Sequence, residues 1–253
     1  MRLLLHELRT QQRLFWRQRE AAIFTFFLPI VFFLILGAIY GDTIIKKEGG
    51  IKGSSFLQAG MIGYGVAGTC FAGLAITLVV RRESGVLKRV RSTPLPPATY
   101  IGSVLASTFL VFLLEAALII LLGRTIFGVP VPEALGSLFV ILLIGAASFA
   151  AMGLGMSTLV RSAEGSSGVV NAVYLPMAIL SGTFFTTAAY PPFLKAIAEV
   201  LPLTHFTEVT RDVMVRNQPW WDDLGSLAVV LAWGAVGLVG ALRGFRWEPR
   251  ESL

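Results

Sequence analysis

Apolar residues in this chain run in long blocks, each close to twenty residues. A block of that length fits a helix crossing a hydrocarbon core, because about 20 residues at 1.5 Å rise cover roughly 30 Å. Six blocks stand out: Ala21–Tyr40, Phe56–Val80, Ile101–Leu122, Ala134–Val160, Gly168–Phe185 and Leu224–Leu242. Pro29 and Pro176 are compatible with spans, since neighbouring helices satisfy the backbone groups that a proline frees; Pro29 predicts a kink. Of the 253 residues, 55% are hydrophobic and only 14% charged, against about 25% charged in soluble domains. That excess argues against a water-soluble enzyme or nucleic-acid-binding domain. The expectation is an all-α integral membrane protein with six transmembrane helices, in a single domain over residues 1–253.

The net charge of +6 is informative through its placement. With the N-terminus inside, the inner segments carry Arg2, Arg9, Arg13, Arg17, Arg19, Arg81, Arg82, Lys88, Arg89, Arg91, Arg161, Arg243, Arg246 and Arg250. The outer ones carry half as many: Lys46, Lys47, Lys52, Arg124, Lys195, Arg211 and Arg216. The positive-inside rule therefore puts both termini in the cytoplasm. Residues 2–19 are not expected to be a signal peptide, because the block that follows has no small-residue cleavage site. Arg9, Arg13 and Arg17 form a basic stripe, Leu4, Leu5, Leu8 and Phe15 an apolar face, and Trp16 lies near the end. This predicts an amphipathic helix in the plane of the lipid headgroups.

Cys70 is the lone cysteine, so no intrachain disulfide is possible, and His6 and His205 are too far apart to mark a metal site. Between spans five and six, residues 186–223 hold two short amphipathic stretches. Phe193, Leu194, Ile197 and Leu201 share one face; Phe206, Val209 and Val213 share another. Both are too short to span, which predicts interfacial or re-entrant outer helices. Trp220 and Trp221 mark the outer interface, Asp222 and Asp223 a solvated loop, and Glu208 and Arg211 are spaced to pair.

The inner loop at 81–99 carries Glu83, Ser84, Gly85, Val86, Leu87, Lys88, Arg89 and Val90. It reads either as a loop that only sets topology or as a docking helix, because Val86, Leu87 and Val90 put an apolar strip where water is expected. Glu83–Arg89, followed by Ser92-Thr93-Pro94-Leu95, resembles the loop between spans two and three of type-2 ABC export permeases, the daunorubicin-resistance kind among them. Leu180-Ser181-Gly182-Thr183-Phe184-Phe185, then Pro192 and Pro202-Leu203-Thr204, resembles that family's passage from span five into its outer helices. Thr186 stands where the family often has proline. The resemblance covers nearly the whole chain, and its order and spacing are more specific than any one motif.

The resemblance implies the membrane subunit of an ATP-driven exporter of hydrophobic or amphipathic substrates. It would sit in the plasma membrane of a prokaryotic cell, as a homodimer with two separate ATPase subunits. It further implies that the 83–91 helix couples to the ATPase, with the N-terminal helix (Arg9, Arg13, Trp16, Arg17) as a second contact. The chain has no GxxxxGK[ST] phosphate loop. ATP and Mg would thus be bound by the partner, with no cofactor or metal in this chain, which would not itself be an enzyme. Membrane lipids and the second copy are the remaining partners, with no nucleic acid.

Glu115 lies inside span three, where a carboxylate costs about 2.5–3.5 kcal/mol on the insertion scale. It serves either as a structural hydrogen-bond acceptor, Asn171 or a backbone group being possible partners, or as part of the substrate path. Span five aligns Asn171, Tyr174 and Ser181 on one face, with Phe184 and Phe185 at its end; span two carries Tyr64, Thr69 and Phe71. These are polar contacts between helices or, in the resembling family, a path at the dimer axis. A stand-alone secondary transporter or channel using Glu115 is the alternative, though no inverted repeat is visible.

Overall fold

The computed structural model describes residues 2–248. Met1 and residues 249–253, including Arg250, lie outside the described residues. Helix α1 (Arg2–Arg17) breaks at Gln18, whose ψ of 73° turns the chain into α2 (Arg19–Tyr40). Trp16 stacks on Phe26 across this elbow, ring centroids 5.7 Å apart. Pro29 lies buried inside α2, and the helix continues through it. A two-residue antiparallel pair, β1 (Ile44–Ile45) and β2 (Ile51–Lys52), brackets a 3-10 turn at Lys46–Glu48.

The second apolar block forms α3 (Gly53–Glu83), whose middle, Val66–Gly73, is π-helical. Such wide turns are rare and cluster at functional sites. A left-handed Gly85 (φ +71°) starts the short α4 (Val86–Arg91), a conformation that costs a glycine little. Then follow α5 (Pro97–Phe127), α6 (Leu135–Leu159), α7 (Ala163–Leu180), α8 (Pro192–Val200), α9 (Pro202–Val215) and α10 (Leu224–Gly244). Proline opens α5, α8 and α9, where its missing N–H would have no partner anyway. Asp223, in the outer loop, caps α10, its Oδ1 accepting from Ser226 N at 3.0 Å.

Among the described residues, five helices are long and apolar enough to cross a membrane: α2, α3, α5, α6 and α10. The expected fifth span is a shorter helix with a polar start. α7 begins at Ala163, carries Glu164, Ser166 and Ser167 in its first turns, and ends at Leu180. Ser181–Phe185 forms a turn through left-handed Gly182 instead of a last helical turn.

The largest helix–helix interface joins α6 and α10. Its closeness comes from glycine: a Cβ on Gly155 would lie 2.6 Å from Gly237 O, and one on Gly234 2.9 Å from Ser148 Cα. Small residues allow such approach where lipid provides no hydrophobic drive. α9 is packed against α3, α6 and α10, with Phe206, Val209 and Val213 all buried. α8 is different, since Phe193 and Ile197 on its apolar face are exposed.

α1 is held to the bundle by polar side chains. Gln12 Nε2 donates to Ser107 O and Oγ on α5 at 3.0 and 3.1 Å, and Gln11 is buried. Leu4 and Leu5 remain exposed, as do Arg9, Arg13, Trp16 and Arg17. Gln12 makes the polar contact with α5, and Leu4 Cδ1 approaches Gly102 on the same helix.

Candidate functional site

A cavity of about 300 Å³ lies between α1, α2, α3, α5 and α7. Five of the residues singled out in the sequence line it: Tyr64, Thr69, Glu115, Asn171 and Tyr174. Glu115 is buried on α5, and its Oε2 accepts from Thr69 Oγ1 at 2.8 Å. Thr69 sits in the π-helical part of α3, which aims its hydroxyl across the gap. Asn171 lines the same space and is not hydrogen-bonded to Glu115.

Two glycines set the depth of the site. A Cβ on Gly65 would stand 2.7 Å from Glu115 Oε1, and one on Gly68 3.0 Å from Tyr174 Oη. Their bare backbone lets the carboxylate and the phenol close on α3. Tyr174 donates to Tyr64 O at 3.4 Å, a long bond, and the two rings lie 5.5 Å apart. Phe184 packs edge-on to Tyr64 at 5.7 Å and to Phe32 at 5.8 Å.

The remaining candidates lie elsewhere. Phe71 is buried in the core outside the cavity, and its carbonyl faces Gly153 on α6. Ser181 is buried, and its carbonyl accepts from Thr207 Oγ1 at 2.8 Å. Phe185 is exposed, outside the cavity. The expected aromatic and polar path is thus divided: Tyr64, Thr69, Glu115, Asn171 and Tyr174 are brought together, Phe184 backs them, and Phe71, Ser181 and Phe185 are not part of the wall.

At the basic end of the bundle the cavity reaches Gln11, Gln18 and Arg81. Arg81 Nη1 donates to Gln11 Oε1 at 2.8 Å and to Tyr100 Oη at 3.1 Å. The neighbouring Arg82 is buried; it donates to Ser157 O at 3.0 Å and Val160 O at 2.7 Å, while Nε pairs with Glu83 Oε1 at 2.9 Å. Those carbonyls end α6, where a helix leaves acceptors unpaired and gathers partial negative charge. The two arginines therefore tie the end of α3 to α1, α5 and α6 just before α4 begins.

The apolar strip of α4 is not a free surface. Leu87 is fully buried in the chain's own core and Val90 packs against it. Val86, Lys88, Arg89 and Arg91 face outward with Ser84. α4 is thus anchored by leucine and presents a basic face.

The opposite end carries a charged cluster that the sequence left scattered. Arg211 on α9 is buried beside Phe56, its guanidinium carbon 4.0 Å from the ring centre. Its Nη2 donates to Gly182 O at 3.0 Å, and Nη1 lies 3.8 Å from Glu48 Oε2. Glu48 also accepts from Thr186 and pairs with Arg216, which binds Asp212. The expected Glu208–Arg211 ion pair does not form; burial raises the Glu208 carboxyl above its ordinary value, with His205 and then Arg211 opposing. Burial lowers the Arg211 guanidinium below its ordinary value, with Glu48 the main opposing influence. Neither Arg82 nor Arg211 carried a signal apart from the other basic residues. His205 is satisfied by Ser226 Oγ and Glu199 O, and no cluster of metal-ligating residues occurs among the described residues.

Sequence comparison decides what kind of protein builds this bundle. Residues 3–215 match the family described as ABC-2 type transporter. The chain belongs to that family. It is 22% identical over 211 residues to the putative transport permease YvfS of Bacillus subtilis, covering 82% of this chain and 84% of that one. It is 23% identical over 206 residues to the linearmycin resistance permease protein LnrN of the same organism, covering 79% of this chain and 52% of that one. The probable multidrug ABC transporter permease YbhS of Escherichia coli is 26% identical over 176 residues, covering 68% of this chain and 45% of that one. The chain thus spans about half the length of LnrN and YbhS. As an ABC-2 permease it is a multi-pass transmembrane subunit of an ABC transporter, and membership implies an ATPase partner.

Proposed function

We propose that this ABC-2 permease moves a hydrophobic or amphipathic substrate out of the cytoplasm or the inner leaflet by alternating access. Separate ATPase subunits, two copies on a homodimer of the permease, would drive it by docking on the 83–91 segment. In this reading α7 is the fifth span and α10 the sixth, α8 and α9 are the short outer helices, both termini are cytoplasmic, and the basic end of the bundle faces the ATPase.

The observation that carries the proposal is the attachment of α4. A push on its exposed basic face reaches Leu87 in the core. Through Arg81 and Arg82 it also reaches α1, α5 and α6, three helices around or behind the Glu115 cavity. A short helix fixed at one face and exposed on the other transmits force, whereas a loop that only set topology would need no anchor. LnrN and YbhS, whose names describe a resistance permease and a probable multidrug permease, support a drug-like cargo.

The test is transport in vesicles containing the permease and the P-loop ATPase that co-purifies with it. Accumulation that requires hydrolysable ATP is expected. Solute movement by the permease alone, without ATP, would instead establish a secondary transporter or channel.

A further inference from the structure

The Glu115 cavity holds one acid in an otherwise uncharged section of the bundle, and among the described residues nothing neutralises it. The carboxylate takes one hydrogen bond, from Thr69, and enters none of the ion pairs. Arg81, the other charged group on the wall, is already bonded to Gln11 and Tyr100. It stands twelve residues along α3 from Thr69, about 18 Å at 1.5 Å per residue. Beside the acid stand Tyr64 and Tyr174, whose rings line the same space. An uncompensated carboxylate next to aromatic faces is the arrangement that binds ammonium groups, by charge and by the ring quadrupole.

We infer that the cavity takes a lipophilic amine, with the ammonium held between Glu115 and the Tyr64–Tyr174 pair and the apolar body lying along the α2 and α5 walls. This names the substrate class of the path proposed above and rests on that reading. Thr69 is a positioning residue: it fixes one carboxylate oxygen and leaves the other for the ligand.

The test uses the full chain in phosphatidylcholine nanodiscs and two photoreactive probes, an octylamine and an octanol with the same diazirine in the chain. Saturable labelling of α2 and α5 peptides is expected, with half-saturation at least about tenfold lower for the amine, equivalent to about 1.4 kcal/mol. Glu115→Gln should bring the two probes together, and Glu115→Asp should retain the amine preference. Equal half-saturation in the parent chain, or a preference that survives Glu115→Gln, overturns the amine assignment and leaves the cavity as a substrate site. Labelling that fails to saturate for both probes, or that avoids α2 and α5, overturns the cavity itself and the inference with it.

Discussion

The Arg82 guanidinium reaches the Val160 carbonyl at 2.7 Å, across 78 residues of sequence. This bond joins the last turn of the glycine-rich α3 to the end of α6, and α4 hangs from the junction. Removing it should cost stability as well as coupling. Each hydrogen bond from a charged group contributes about 1.5–3 kcal/mol. Arg82→Gln, which loses most of two such bonds, is expected to lower the unfolding free energy in detergent by roughly 2–4 kcal/mol. A melting curve superimposable on that of the parent would contradict the staple.

The basic face of α4 should behave in the opposite way. Lys88 and Arg89 are exposed and form no ion pair among the described residues. Surface substitutions away from buried partners usually stay within about 0.5 kcal/mol, so Lys88→Glu with Arg89→Glu should leave stability intact. Leu87→Ala, by contrast, empties a buried site and should cost about 2–5 kcal/mol. Thermal scans of both variants separate anchor from surface.

Glu115→Gln distinguishes a functional acid from a structural one. The amide still offers an oxygen to Thr69, and the charge that is costly in a bilayer is gone. Stability is expected to be unchanged or higher while ATP-dependent transport falls. Lost stability with preserved transport would make Glu115 a packing element.

Glycine spacing along the α6–α10 seam makes a purely structural prediction. Gly155→Leu forces a side chain into the Gly237 backbone, whereas Gly136 faces open space. Overpacking costs about 1–3 kcal/mol or more, so Gly155→Leu should lower the melting temperature and Gly136→Ala should not.

At the far end, Glu48 compensates two arginines, one of them buried. Glu48→Gln leaves Arg211 without its main counter-charge, and breaking a buried pair in this way costs about 3–5 kcal/mol. Chemical denaturation of the variant measures the loss; Lys47→Gln, on an exposed site of the same turn, serves as the neutral comparison.

Much of the fold was legible because lipid imposes a single rule, that apolar blocks of bilayer length become helices. The blocks predicted at 134–160 and 224–242 match α6 and α10 to within two residues. The rule fails where residues serve the interior of the bundle. Gly168–Phe185 reads as a span by its apolar content, yet Gly182 and the bonds to Thr207 and Arg211 turn the chain at Ser181. Leu87 reads as a docking residue because sequence cannot distinguish an anchor from a contact for a partner. Thr69 as the partner of Glu115 was equally hidden: the two lie 46 positions apart, and a π-helix shifts the face on which Thr69 emerges.

The most direct measurement is affinity purification of the tagged chain in mild detergent, with quantification of the co-purifying P-loop ATPase, for the parent and the Lys88→Glu, Arg89→Glu variant. The account predicts an ATPase in roughly equal amount with the parent, and its loss from a variant that melts at the parent's temperature. An ATPase retained at full stoichiometry by the charge-reversed α4 would contradict docking on that face.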